Sequence, residues 1–141
     1  MKDFKQLRKE DRIEKVSADK AKAKGLIKRS KMRLENQKNR EINEQNSFEI
    51  LENIYEALRE TIEASMASEG YKSNDHVSTI AYAKQKLGLT KSKINKLYRF
   101  RKLRNESRYE AKKITEKEAH QIMEFAQKLS PKLIEKTEDK L

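Results

Sequence analysis

From residue 17 onward the apolar positions of this chain recur at steps of three and four, and that spacing predicts a succession of helices. Ser17 is a good N-cap for a first long helix to about Asn39, with Ala23, Leu26, Ile27, Ser30 and Leu34 on one thin face. Gly25 inside it costs about 1 kcal/mol relative to Ala. Either a close helix–helix contact or simple tolerance accounts for it. The second helix has the clearest stripe: Phe48, Leu51, Ile54, Tyr55, Leu58, Ile62 and Met66, with Glu49, Glu52, Glu56, Glu60 and Glu63 placed outside. It should end near Gly70. A third helix begins near Asn74, uses Val77, Ile80, Ala81 and Leu87, and stops at Gly88, where Gly88-Leu89 fits a left-handed cap with its apolar follower. Thr90 caps a fourth helix to about Glu110. Thr115 with Glu118 forms a capping box for a fifth, which buries Ala119, Ile122, Met123, Ala126 and Leu129. Pro131 lacks the N–H a helix interior needs, so Ser130-Pro131 should stop or kink it.

These elements predict an all-α chain, an up-and-down bundle of four or five helices over residues 17–133. Residues 1–16 have only Phe4, Leu7, Ile13 and Val16 among charges and read as a basic, helix-prone extension. Residues 134–141 read as a short charged tail. So polar a chain buries little by itself, and a homodimer joined through the broad stripe of the second helix would add core.

Composition narrows the picture. With 3 Gly and 1 Pro in 141 residues, a sandwich or barrel lacks its turn residues. Zero Cys removes disulfides, thiolate metal sites and Cys nucleophiles. No apolar run approaches membrane-spanning length, and MKDFKQLRKE lacks the apolar core of a signal peptide, so no membrane partner and a cytoplasmic location are expected. Charge is segregated. Residues 1–43 hold 15 basic and 7 acidic groups, residues 44–70 hold 1 and 7, and residues 71–141 hold 18 and 9. An acidic helix between two basic regions would attract both and still leave a basic face for a polyanion. That face should lie within Lys84 to Lys113, where 12 basic groups meet only Glu106 and Glu110.

No metal-ligand spacing, phosphate-binding loop or nucleophile elbow is present. Neither a metal nor a cofactor is expected. His76 and His120 read as polar surface or cap residues. The fourth helix breaks its own pattern: Ile94, Leu97 and Tyr98 begin an inward stripe that Arg101, Arg104, Asn105 and Arg108 continue. Emergence into solvent is one explanation. A phosphate cleft is the other, since guanidinium groups bind phosphate through paired hydrogen bonds. Tyr98 reads as core, and Tyr109 is open between core and base stacking.

The stretch from Glu69 to His76 (EGYKSNDH), a short helix, the stretch from Phe100 to Tyr109 (FRKLRNESRY) and a capped last helix together resemble the HEPN family over roughly Ser17 to Leu133. The resemblance implies a dimeric helical bundle that binds RNA or nucleotide. In many members it is a metal-independent endoribonuclease of toxin–antitoxin or antiviral systems, in some paired with a small nucleotidyltransferase. The family motif is Arg, a polar residue, then His four to six positions on. Arg104 and Asn105 match the first two, while Tyr109 stands where the His would be at a spacing of four. A phenol with pKa about 10 is a poor base at neutral pH, so binding with weak or lost cleavage is expected. His76 would lie near the same end if the third and fourth helices are antiparallel neighbours.

On this resemblance the catalytic positions are Arg104, Asn105 and Tyr109 from both subunits, with Arg101, Arg108, Lys112 and Lys113 as RNA or phosphate contacts. The alternative is a non-catalytic partner of a small nucleotidyltransferase. A basic helical bundle with no chemistry of its own is the third reading.

Overall fold

The computed structural model describes residues 2–141. It is mostly helical: α1 (Phe4–Lys9), β1 (Ile13–Lys15), α2 (Lys20–Lys38), α3 (Ser47–Glu69), β2 (Tyr71–Ser73), α4 (His76–Lys86), α5 (Lys91–Glu110) and α6 (Glu116–Glu138). The caps explain most boundaries. Asp19, Asp75, Thr90 and Thr115 each accept a backbone N–H from the residue three ahead, occupying donors that a helix start leaves orphaned. Thr115 and Glu118 complete their capping box. The N-cap of α2 is therefore Asp19 rather than Ser17. Before α3, Asn43 and Asn46 bond each other's backbone N–H, closing the turn that starts it.

α3 is the central helix, and α2, α4, α5 and α6 all pack on it. Its apolar stripe from Leu51 to Met66 is buried within this one chain. That overturns its expected use as a dimer face. Phe48, assigned to that stripe, is instead 49% exposed. The α2–α3 contact is made by small residues. Ser30 Oγ donates to the Ala57 carbonyl at 3.0 Å and lies 2.7 Å from Thr61 Oγ1, with Ala23 and Ala64 buried nearby in sequence on the same two helices. Gly25 is exposed, and a Cβ there would meet nothing within 4 Å, so it reflects tolerance.

Three expectations need correction. The described part of the expected extension, residues 2–16, is integrated into the fold: Leu7 and Ile13 are buried, and β1 pairs antiparallel with β2, Ile13 opposite Ser73. Gly70 permits this closure. Its φ of 80° suits glycine, and a Cβ would sit 2.6 Å from the Val16 carbonyl oxygen. The ring of Tyr71 meets Phe4 edge-on at 5.4 Å and carries Lys15 at 4.4 Å from its centroid, holding the strap down. Second, Pro131 does not stop α6. The carbonyl it deprives is that of Gln127, an exposed position where water can replace the lost donor. Third, residues 134–141 are not merely a tail. Ile134 packs in a cluster with Ala23, Ile27, Ala64 and Ala67, and Thr137 is fully buried.

Candidate functional site

α5 begins as an ordinary core helix. Ile94, Leu97, Phe100 and Leu103 face inward and are buried. Continuing the same side at 100° per residue puts Arg104 and Ser107 inside as well, and both are buried. Arg104 is 8% exposed. The helix therefore does not emerge into solvent at this point, as one reading of its sequence had it.

Opposite this end of α5 stand Tyr55, Glu56 and Arg59 of α3 and His76, the first residue of α4. Arg101 and Arg104 both bear electrostatically on the Tyr55 hydroxyl and on the His76 imidazole. The rings of Tyr55 and His76 are 6.5 Å apart. Arg104 Nη1 donates to Asn105 Oδ1 at 3.1 Å, so Asn105 orients the guanidinium. Among the described residues, no carboxylate lies within ion-pair distance of Arg101 or Arg104. Glu56 feels the field of Arg104, but its hydrogen bonds are taken by Arg59. Arg101 Nε is buried with no hydrogen-bond partner among the described residues. A buried guanidinium N–H without an acceptor is costly, and an anion reaching it would supply one.

The titratable groups are tuned by this setting. Burial, followed by the fields of Arg59 and Arg104, pushes the His76 pKa down, against a smaller pull from Glu56. Its place at a helix N-terminus works in the same direction. His76 is thus neutral at pH 7 and able to accept a proton. Burial raises Tyr55 to about 12, with Arg101 and Arg104 opposing, so its hydroxyl stays protonated as a donor. Burial pushes Glu56 up as well, but its bond to Arg59 and the nearby arginines bring it below the usual carboxylate range.

His76 is held in place from behind. Asp75 caps α4 and pairs with Arg12 at 2.8 Å, across from β1. Burial opposes ionisation of Asp75, yet the Arg12 bond and two bonds from Ser78 lower its pKa to about 2. The N-terminal strap, which the sequence pattern did not disclose, is thereby tied to the helix that presents the imidazole.

Arg101, Arg104 and Asn105 thus lie together. Arg108 and Tyr109 are exposed, Tyr109 at 72%. Lys112 pairs with Glu106 at 3.2 Å and Lys113 with Glu44 at 2.6 Å, so these two are partly neutralised within the chain. His76 had been assigned to a surface or cap role, and Tyr55 to the core. Only the antiparallel placement of α4 and α5 pointed to the histidine. Among the described residues, no group of three or more acidic or His side chains is placed to hold a metal, and no helix is long and apolar enough to cross a membrane. Neither a family model nor a curated protein sequence matches the chain.

Proposed function

We propose that this protein is a mostly helical phosphate-binding module whose ligand is RNA. The observation that carries the reading is the pair of guanidinium groups, Arg101 and Arg104, set without a carboxylate partner beside a neutral imidazole and a phenol. The class we assign is HEPN-like, an up-and-down bundle acting as a homodimer, with cleavage weak or absent. The motif resemblance of Arg104 and Asn105 supports it. Phe48 and Tyr109, large side chains left exposed, support an interface at this end of the molecule. Phe48 lines the same hollow as Ala111 and Lys112, so the C-terminus of α5 lies beside it. Pairing two chains there would bring Tyr109 of each toward the other's motif.

In this reading Arg104 and Arg101 hold the phosphodiester and stabilise charge as it develops on the phosphorus-bound oxygens. His76 takes the place that Tyr109 fills poorly. It accepts the proton of the ribose 2′-OH as that oxygen attacks phosphorus. The 5′-oxygen leaves and takes a proton from water, giving a 2′,3′-cyclic phosphate and a free 5′-hydroxyl. No metal takes part. A non-catalytic role beside a small nucleotidyltransferase is the alternative that the same resemblance supports.

The test is incubation of the purified protein with total RNA in chelator, followed by analysis of the ends. Cyclic phosphate ends that vanish in both His76→Gln and Arg104→Met support cleavage at this site. Binding without new ends supports the binding module alone. No binding at low salt defeats the proposal.

A further inference from the structure

A second basic feature lies where neither the motif nor the Arg104 cluster reaches. Between α5 and α6 is a hollow of about 340 Å³. Lys93, Lys96 and Arg99 line one wall, Lys128 and Lys132 the other, and carbon from Phe100, Phe125 and Leu129 forms its floor. Elsewhere many basic groups are paired: Arg33 with Glu60, Arg40 with Glu49, Lys113 with Glu44, Lys140 with Glu69. In the hollow, among the described residues, only Lys128 is, with Glu124 at 3.0 Å. Lys96 sits over the Phe125 ring, and Arg99 donates to the neutral Gln121 at 2.9 Å. Lys93 and Lys132 have no acceptor among the described residues.

We propose that this α5–α6 groove is a track for the phosphodiester backbone of single-stranded RNA, separate from the Arg104 site. From Lys93 to Arg99 the helix rises about 9 Å, more than a single phosphate occupies. Cationic walls over an apolar floor suit a ligand that alternates anionic groups with flat rings. An acidic peptide would use the walls and leave the floor unused. The choice of RNA rests on the function proposed above, while the location rests on the groove itself.

The experiment titrates a fluorescently labelled single-stranded RNA of mixed sequence into the full chain by anisotropy across a salt series. The triple variant K93Q/K96Q/K132Q should bind about tenfold or more weakly. Its salt dependence should also be shallower by about two in log–log slope, as three lost phosphate contacts require. A second triple, K20Q/K22Q/K24Q, removes the same charge from the exposed start of α2 and should bind almost as the parent does. Melting curves confirm that both are folded. Equal weakening in the two triples would mean diffuse attraction and overturn the proposal, as would parental affinity in the groove triple. Displacement of the RNA by poly-glutamate as readily as by poly-uridine would reassign the groove to an acidic protein. Arg104→Met separates the two readings. If it binds normally while the groove triple fails, the Arg104 reading falls and the groove stands. If the parent binds no RNA, both fall.

Discussion

Two groups of arginines in this protein differ in their partners. On the α2–α3 side, Arg33 and Arg29 close on Glu60, whose carboxylate is only 3% exposed, and Arg59 is clasped by Glu56 and Glu63. On the α5 side, Arg101 and Arg104 face Tyr55 and His76 with no carboxylate of their own among the described residues. The first group is a closed circuit whose charges answer one another. The second is open, and its unmet Arg101 Nε donor is the reason to assign it a ligand. An arginine's role is read here from the partner it meets.

The largest effect should come from opening the closed circuit. Arg33→Ala leaves Glu60 buried with only Arg29, 3.8 Å away, and should cost about 3 kcal/mol by urea denaturation. RNA affinity should stay within about twofold. A loss of affinity in a folded Arg33→Ala would merge the two groups and break the comparison.

Next in size is the support behind the open group. Asp75→Ala removes the α4 cap and should cost about 1–2 kcal/mol. It should also weaken any RNA cleavage by loosening His76. The same carboxylate predicts a pH dependence. Its folded pKa of about 2 lies below the ordinary 3.8, so its contribution is complete above pH 4 and is lost as pH falls from 4 toward 2. Thermal melts of parent and Asp75→Asn should converge over that interval. Melts that stay parallel would remove the Arg12–Asp75 tie.

A smaller effect tests the tuning of His76. The groups facing it are Tyr55, Glu56 and Arg59 of α3 and Arg101 and Arg104 of α5. Its proton NMR titration should have a midpoint below 6.5 and move upward in Arg104→Met. Because the unfolded chain takes up this proton first, His76 should lower stability slightly as pH falls below 6.5. A midpoint above 6.5 would show that it is not beside unpaired arginines.

The helices themselves were legible because each carries its own periodicity and cap: Thr90, Thr115 with Glu118, and Gly70 all act where the pattern placed them. Local sequence could not show pairings made across distance. β1 is three residues whose only pattern is buried Ile13, and its partner β2 lies beyond two long helices. Pro131 does not stop its helix, and the exposure of Gln127 that lets water take the freed carbonyl is a tertiary property. Arg104 was legible from the face of α5 on which it falls. His76 was legible only on the condition that the third and fourth helices lie antiparallel, since a histidine next to a cap residue looks the same whether or not another helix brings arginines to it. Glu60, placed outside by its neighbours' pattern, turned out buried for the same reason: α2 supplied Arg33.

The most direct test of the account is Arg104→Met, a change that keeps the packed stem and deletes the charge. Affinity for single-stranded RNA and urea stability are measured on the same preparation. The account predicts that affinity falls about tenfold or more, while stability is unchanged or rises, because a buried cation without a carboxylate partner has been removed. Parental affinity, or a stability loss as large as that of Arg33→Ala, would show that Arg104 belongs to the closed kind and would contradict the account.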